Sequence, residues 1–271
     1  MKGVVIIKKF AVILMSVALL VSFATAANVK IDGKAFDGAR IVGSATYVPL
    51  RAYCEEFSGC EISWDNDSRT ATITADKLLA NVRIGDHYIE ANGRIVYSGN
   101  ENMIIDGSTY IPIRSISKVL GASVDWDNET KTALVVRGQE EFESSDSFYE
   151  PNDLYWLSKI INAESEGEPL EGKIAVGNVV LNRVRNSEFP NNVYDVVFDR
   201  KGGVQFTPVA NGAIYKQANK ESVLAAKICL EDYSLTSREI LFFLNPETSV
   251  SAWIPNNRDF VVSIGRHDFY A

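Results

Sequence analysis

The sequence predicts an α+β protein with an N-terminal duplicated strand-helix-hairpin domain and a C-terminal α-rich domain. Three observations predict this: the first half repeats itself, the second half has helical periodicity, and about 245 residues follow an apolar leader, enough for two cores. The predicted boundaries are a signal peptide at 1–26, domains at 27–137 and 153–271, and a linker at 138–152. The linker is acidic and serine-containing, without helical or strand periodicity.

The first 26 residues have the pattern of a secretory signal peptide. Three lysines precede an apolar run from Phe10 to Phe23, and small residues follow up to the predicted cleavage before Ala27. About 14 apolar residues are fewer than the roughly 20 that a bilayer span needs, so a retained membrane anchor is the weaker alternative. We therefore expect an exported protein with no membrane span after cleavage.

Charge and histidine content exclude several classes of partner. Removal of the leader leaves 24 basic and 35 acidic side chains, and a net negative chain is a poor partner for nucleic acid. The chain has two histidines, one in each half, which are too few for a metal cluster. We therefore expect no metal and no cofactor, while the oligomeric state is not predicted.

Three cysteines allow at most one internal disulfide. Cys54 and Cys60 lie six residues apart across a predicted helix end, and they either close a small disulfide or remain two buried thiols. Cys229 lies in a helical apolar run, where a buried small hydrophobic residue is expected rather than a nucleophile.

The internal repeat appears when the segment from Thr46 is aligned with the segment from Thr109, 63 residues later. Both copies contain Thr-Tyr-x-Pro-x-Arg, a short helical segment, a glycine, Trp-Asp-Asn and an alternating apolar tail. Asp and Asn favour turns, so the steps at Trp64 and Trp126 are predicted to be hairpin turns. Each copy is therefore predicted to form a strand, a helix and a hairpin.

This half resembles the copper amine oxidase N-terminal-like domain, roughly from Val29 to Arg137. Copper is not expected, because the only histidine of this half is His87, which we interpret as a surface residue. The resemblance implies a spacer or a module that associates with the cell wall.

A helical pattern after the linker places one glutamate on an apolar face. Leu157, Ile160, Ile161 and Glu164 fall on one side of the predicted helix, whereas Glu166 lies near the opposite side. Burial makes a carboxyl group costly to ionise and raises its pKa, which keeps it protonated near neutral pH, as a general acid requires. The alternative is a buried glutamate that a backbone or arginine partner satisfies.

The rest of the C-terminal half alternates helical and strand patterns. Helices are predicted at Pro169–Asn186 and Lys220–Tyr233, and strands at 240–244 and 259–265.

Three ordered segments of this half resemble the SleB family of spore-cortex-lytic cell wall hydrolases. They are the run from Ile161 to Phe198, GGVQFTPVANG after it, and SIGRHDFYA at the end, so the resemblance covers roughly Asp153 to Ala271. It implies a lysozyme- and lytic-transglycosylase-like fold, and cleavage of the β-1,4 bond between N-acetylmuramic acid and N-acetylglucosamine in peptidoglycan. It also implies a secreted protein at the cell wall or spore envelope.

Site residues follow from matching positions. Glu164 matches the catalytic acid of the family, and Glu168 matches a second acidic position that is expected to support the site. The alternative for Glu168 is a helix-start residue that interacts with the free amides ahead of Pro169. Gln205 and Phe206 match a pair that would line the sugar groove, the alternative for Phe206 being an ordinary core residue.

The C-terminal His-x-Phe-Tyr signature is matched by His267 and Tyr270, which the resemblance implies as substrate-binding residues. A single histidine on a predicted strand is also often structural. Ser165 and Glu166 replace the Ala-Arg of many members, so a negative side chain stands where a positive one is usual. This substitution leaves the acid in place and affects the expected substrate preference.

The implied reaction begins when Glu164 protonates the glycosidic oxygen. In transglycosylase chemistry the same group then takes a proton from the C6 hydroxyl of the sugar, which closes a 1,6-anhydro ring without a second carboxylate. A wall amidase or peptidase is disfavoured by the two histidines and the helical position of Cys229. A wall-binding protein with a degenerate lytic domain is the non-enzymatic alternative.

Overall fold

The computed structural model describes residues 25–57, 59–138, 140–201, 203–249 and 252–271. The predicted signal peptide lies outside the described residues except for its last two positions. Within the described ranges, no helix has the length and apolar character needed to cross a membrane.

The N-terminal half consists of fourteen short strands and two short helices among the described residues. The strands are β1 Thr25–Ala26, β2 Asn28–Ile31, β3 Lys34–Phe36, β4 Arg40–Val42, β5 Ala45–Pro49, β6 Glu61–Asp65, β7 Thr70–Ala75, β8 Leu78–Arg83, β9 Tyr88–Ala91, β10 Arg94–Tyr97, β11 Met103–Ile105, β12 Ser108–Pro112, β13 Ala122–Asp127 and β14 Thr132–Arg137. The helices are α1 Leu50–Glu55 and α2 Ile113–Val119.

The predicted repeat is confirmed: β5, α1 and the β6–β7 hairpin recur as β12, α2 and the β13–β14 hairpin. The first strands of the two copies pair with each other in antiparallel fashion, with Val48 opposite Ile111. The predicted turns are also present, because the Oδ1 atoms of Asp65 and Asp127 accept hydrogen bonds from backbone amides two residues later, at 2.9 and 2.8 Å.

The two hairpins enter different sheets. The order of one sheet is β10-β9-β8-β7-β6, that of another is β13-β14-β2-β3, and the central sheet is β1-β4-β5-β12-β11. The alternating apolar residues of these strands meet α1 and α2 in one core, in which Val48, Ile73, Ile111 and Ile116 are fully buried. The copies are therefore alike in sequence and local structure but have different neighbours.

The two cysteines of the N-terminal half are free thiols, and its histidine is partly buried. Cys54 is a buried free thiol whose pKa is raised by burial to about 12, and Cys60 is a half-buried free thiol. The structure therefore corresponds to the two-thiol alternative. His87 is only partly a surface residue, because its ring stacks on Tyr97 and its Nε2 atom lies 3.6 Å from Glu101.

The C-terminal half contains helices and one small sheet. The helices are α3 Ser145–Phe148, α4 Pro151–Ser165, α5 Leu170–Arg185, α6 Val193–Phe198, α7 Thr207–Asn211, a 3-10 helix Ala213–Tyr215, α8 Lys220–Leu230 and α9 Trp253–Asn257. The strands are β15 Phe242–Leu244, β16 Phe260–Ile264 and β17 His267–Tyr270, in the order β15-β17-β16. An α+β fold with an α-rich C-terminal half is confirmed.

Helices α4, α5 and α8 pack on one another and form the second core. Gly177 permits the close approach of α5, since a Cβ atom there would lie 2.7 Å from Cys229 Sγ and 2.8 Å from Ile161 Cδ1. Helix α8 ends three residues earlier than predicted, because Asp232 adopts a left-handed conformation at φ 64°. Cys229 is buried, as predicted, and burial raises its pKa.

The predicted linker is packed on the N-terminal half and contains a one-turn helix, α3, that its sequence pattern does not indicate. The Asn92 side chain donates to the Phe142 carbonyl at 2.9 Å, and the Ser145 amide donates to the Asn92 carbonyl at 2.9 Å. Tertiary hydrogen bonds thus order a segment that lacks an apolar face of its own.

A buried ion cluster joins the two halves. The carboxylate of Glu231, just after α8, accepts hydrogen bonds from Arg94 Nε and Nη2 at 2.7 and 2.8 Å, from Lys118 Nζ at 2.8 Å and from the Tyr149 hydroxyl at 3.0 Å. The side chains of Arg94 and Glu231 are only 6% and 2% exposed. Because buried charges require such pairing, this cluster fixes the position of the second half against the first.

Candidate active site

A long groove of about 1310 Å³ crosses the C-terminal half. Its walls come from the end of α4, from α5, from Asp199 and Lys201, from residues 204–206 and the start of α7, from β15 and from the turn between β16 and β17. Acidic and basic side chains both line it, and Phe242, Phe243 and Trp253 add aromatic surface. The groove can therefore hold an extended polymer with polar and apolar faces.

Glu164 lies in this groove near the C-terminal end of α4 and is half-buried. Leu157, Ile160 and Ile161 on the same face are fully buried, whereas Glu166 is exposed at the rim, as the helical pattern predicts. Burial raises the pKa of Glu164 from 4.5 to about 7, although the charge of Arg183 acts in the opposite direction. The carboxyl group is thus able to donate a proton near neutral pH.

Arg183, on α5, is the residue whose positive charge acts on Glu164, and the sequence analysis did not name it. Its side chain is buried, its Nε atom donates to the Leu241 carbonyl at 2.8 Å, and its guanidinium lies 5.1 Å from the Phe206 ring centroid. Its Nη1 atom has no hydrogen-bond partner among the described residues. Burial lowers the pKa of Arg183 to about 10, so it stays positively charged beside Glu164. An arginine at a buried position of the α5 pattern was the available signal.

Glu168 and His267 lie close together at one end of the groove. Glu168 is buried, and its Oε2 atom accepts a hydrogen bond from the Arg266 amide at 2.8 Å and lies 4.0 Å from His267 Nδ1. The helix-start alternative for Glu168 is wrong, because its carboxylate holds the β16–β17 turn and no side chain caps α5. Burial lowers the pKa of His267, although Glu168 opposes this shift, so the ring is neutral at neutral pH.

Gln205 and Phe206 both border the groove but differ in exposure. Gln205 is half-buried, and its amide nitrogen donates to the Lys201 carbonyl at 2.9 Å, so its carbonyl oxygen is available to a ligand. Phe206 is only 3% exposed and belongs to the hydrophobic core. The core alternative therefore describes Phe206, which supports the groove floor from below.

Tyr270 is not among the described residues that line the groove, which corrects its predicted place in the substrate site. It lies at the far end of β17 from His267, is 6% exposed, and packs against Phe260 with ring centroids 5.8 Å apart. Three residues along a strand span about 10 Å, which carries Tyr270 away from the groove.

Within the described residues, no group of three or more His, Cys, Asp or Glu side chains is placed to hold a metal ion. The Cys229 thiol is fully buried with a raised pKa, so it is unsuited to nucleophilic attack. A carboxyl group with a pKa of about 7, at the wall of a polymer-sized groove, is the arrangement found in sites that cleave glycosidic bonds.

Comparison with known proteins agrees with this class. The profile of the cell wall hydrolase family matches residues 167–270, and that of the copper amine oxidase N-terminal domain matches residues 28–135. Glu164 lies just before the first of these ranges. A spore cortex-lytic enzyme of Bacillus cereus is 28% identical over 219 residues, which cover 68% of this chain and 83% of that protein.

Other matches cover less than half of this chain. The cell wall hydrolase CwlJ of Halalkalibacterium halodurans is 34% identical over 100 residues, which cover 35% of this chain and 68% of that protein. The solved catalytic domain of the germination-specific lytic transglycosylase SleB from Bacillus anthracis is 36% identical and covers 45% of this chain and 97% of that domain, with a TM-score of 0.41. The chain therefore belongs to the cell wall hydrolase family, as its motifs predict.

Proposed function

We propose that this protein cleaves the β-1,4 bond between N-acetylmuramic acid and N-acetylglucosamine in peptidoglycan, with Glu164 as the catalytic acid. The observation that carries the proposal is the position of Glu164 on the groove wall with a pKa of about 7. Membership in the cell wall hydrolase family and similarity to spore cortex-lytic enzymes support peptidoglycan as the substrate. An exported protein that acts at the cell wall or spore envelope fits this family membership and this similarity.

The reaction starts with transfer of the Glu164 proton to the glycosidic oxygen. The bond between that oxygen and the muramic anomeric carbon breaks, and positive charge develops on the carbon. The ionised Glu164 then removes a proton from the C6 hydroxyl of the same sugar. The oxygen of this hydroxyl attacks the anomeric carbon and closes a 1,6-anhydro ring. One carboxyl group thus serves first as acid and then as base.

Arg183 suits this double role. Its fixed positive charge lowers the pKa that burial raises, and it stabilises the carboxylate that exists between the two proton transfers. A group with a pKa of about 7 both releases and accepts a proton near neutral pH. Gln205 and the neutral His267 are proposed to contact the sugar, while Glu168 holds the turn that presents His267.

A peptidoglycan zymogram tests the proposal with three proteins: wild type, Glu164→Gln and Glu239→Gln. The first substitution keeps the shape of the side chain but removes its acid, and the second makes the same change at an exposed glutamate that does not line the groove, as a control. We expect clearing by wild type and by Glu239→Gln only. Clearing by Glu164→Gln would remove the catalytic assignment, and clearing by none of the three would favour a wall-binding protein with a degenerate lytic domain.

Mass spectrometry of the released fragments separates the two possible chemistries. Anhydro-muramic ends are expected if the C6 hydroxyl attacks, whereas reducing ends would indicate attack by water. Spore cortex and vegetative wall, compared as substrates, then distinguish the sites of action.

A further inference from the structure

A second cavity, of about 760 Å³, lies between the two halves and shares no lining residue with the catalytic groove. Strands and α2 of the N-terminal half form one wall, and the segment just after α8 forms the other. Its aromatic lining consists of Trp126, Tyr97 and Tyr233, and polar groups of Asn100, Arg114 and Asp125 stand beside them. Neither the proposed reaction nor the fold requires an opening here.

The cavity is preformed because the buried ion cluster holds its walls. Lys118 and Glu231, which line it, are joined by the hydrogen bond of 2.8 Å that links the two halves. Tyr97 and Tyr233 meet across the interface, edge to face, with ring centroids 4.7 Å apart. A ligand would therefore enter a rigid site and would not have to order it first.

The chemistry of the lining favours a sugar. A volume of about 760 Å³ lies in the range of single-ligand pockets. Trp126 is 37% exposed, so a large aromatic face is open to the apolar C–H face of a pyranose ring. The charges around the cavity are mixed: Arg114 and Lys118 stand against Asp125, Glu231 and Asp232. Such a lining offers hydrogen bonds to hydroxyl and N-acetyl groups without selecting a highly charged ligand.

The two copies of the repeat differ in where their tryptophan lies relative to the cavity. Trp64 is the counterpart of Trp126 in the first copy and is similarly exposed, at 39%, but it does not line the cavity. Its indole nitrogen donates to Asn66 Oδ1 at 2.7 Å. Of the two repeat tryptophans, Trp126 is the one that lines the cavity together with Tyr233 among the described residues.

We propose that this cavity binds an amino-sugar unit of peptidoglycan and retains the polymer while the separate groove cuts it. The inference rests on the proposed substrate class, but it does not depend on which residue is the acid. It assigns to the N-terminal half a binding surface that is completed by the catalytic half.

The test measures sedimentation of the full-length chain with purified insoluble peptidoglycan, in a Glu164→Gln background that leaves the polymer uncut. Trp126→Ala is expected to weaken retention by about tenfold, as removal of a central aromatic contact does. Trp126→Phe is expected to keep most of the retention, and Trp64→Ala to keep all of it. Thermal unfolding of each variant confirms that the proteins compared are folded.

Equal retention by Trp126→Ala and its parent would overturn the inference, and so would an equal loss in Trp64→Ala, since that loss would reflect exposed tryptophan in general. Retention is scored without cleavage, so a failed zymogram at Glu164 and a failed retention test at Trp126 are separate results.

Discussion

Replacement of Glu164 by glutamine should change the stability of the protein in a pH-dependent way. In the folded protein burial raises the pKa of this carboxyl from 4.5 to about 7, so the folded state binds the proton more tightly than the unfolded chain does. The contribution of this bound proton to the free energy of unfolding is fully present below pH 4.5. It is lost as the pH rises through about 7. Glutamine cannot ionise, so the variant avoids that loss.

The magnitude follows from the two pKa values. Their separation corresponds to about 3 kcal/mol, at 1.36 kcal/mol per pH unit. The groove is open to water on one side, so this figure is a ceiling. Relative to wild type, Glu164→Gln should gain up to about 3 kcal/mol in free energy of unfolding between pH 4 and pH 8.

Urea denaturation at pH 4, 6 and 8, followed by tryptophan fluorescence, measures this difference. Trp156 lies on the same helix as Glu164 and reports on the relevant core. Glu166→Gln is the matched control, because it makes the same chemical change at an exposed position of the same chain segment. A constant difference between Glu164→Gln and wild type across this range would show that the carboxyl is not held protonated by burial.

Three further predictions concern catalysis, the interface and the core. Cleavage of peptidoglycan should fall about tenfold from pH 6 to pH 8, because the protonated fraction of an acid with a pKa of about 7 falls from about nine-tenths to about one-tenth; a flat profile would contradict this. Glu231→Ala should destabilise the protein by about 3–5 kcal/mol in calorimetry, since Arg94 is left buried without its partner. Lys77→Ala, which breaks an exposed ion pair, should change the stability little. Gly177→Ala should lower the free energy of unfolding by about 1–3 kcal/mol in urea denaturation, because its Cβ would lie within 2.8 Å of side chains on α4 and α8. Gly167 has open space around it, so Gly167→Ala should be tolerated. Equal effects of the two substitutions would contradict the packing.

Local patterns predicted the elements that depend on neighbours in sequence. The repeat indicated two copies of a strand, a helix and a hairpin because period-two alternation and Asp-Asn turns are local properties. The face of α4 was predicted for the same reason, since residues three and four apart lie on one side of a helix. That periodicity was sufficient to place Glu164 among buried apolar residues.

Contacts between distant segments were decided by the tertiary structure alone. Arg183 became the partner of Glu164, and the Glu168 carboxylate met the Arg266 amide, because the packing of α4, α5 and the small sheet brings these segments together. Tyr270 was excluded from the groove by its distance along β17, although it belongs to the same motif as His267. Two tryptophans in matching sequence contexts acquired different surroundings, since Trp126 lines the cavity between the halves and Trp64 does not. Periodicity within a segment carries no information about which distant surface it meets.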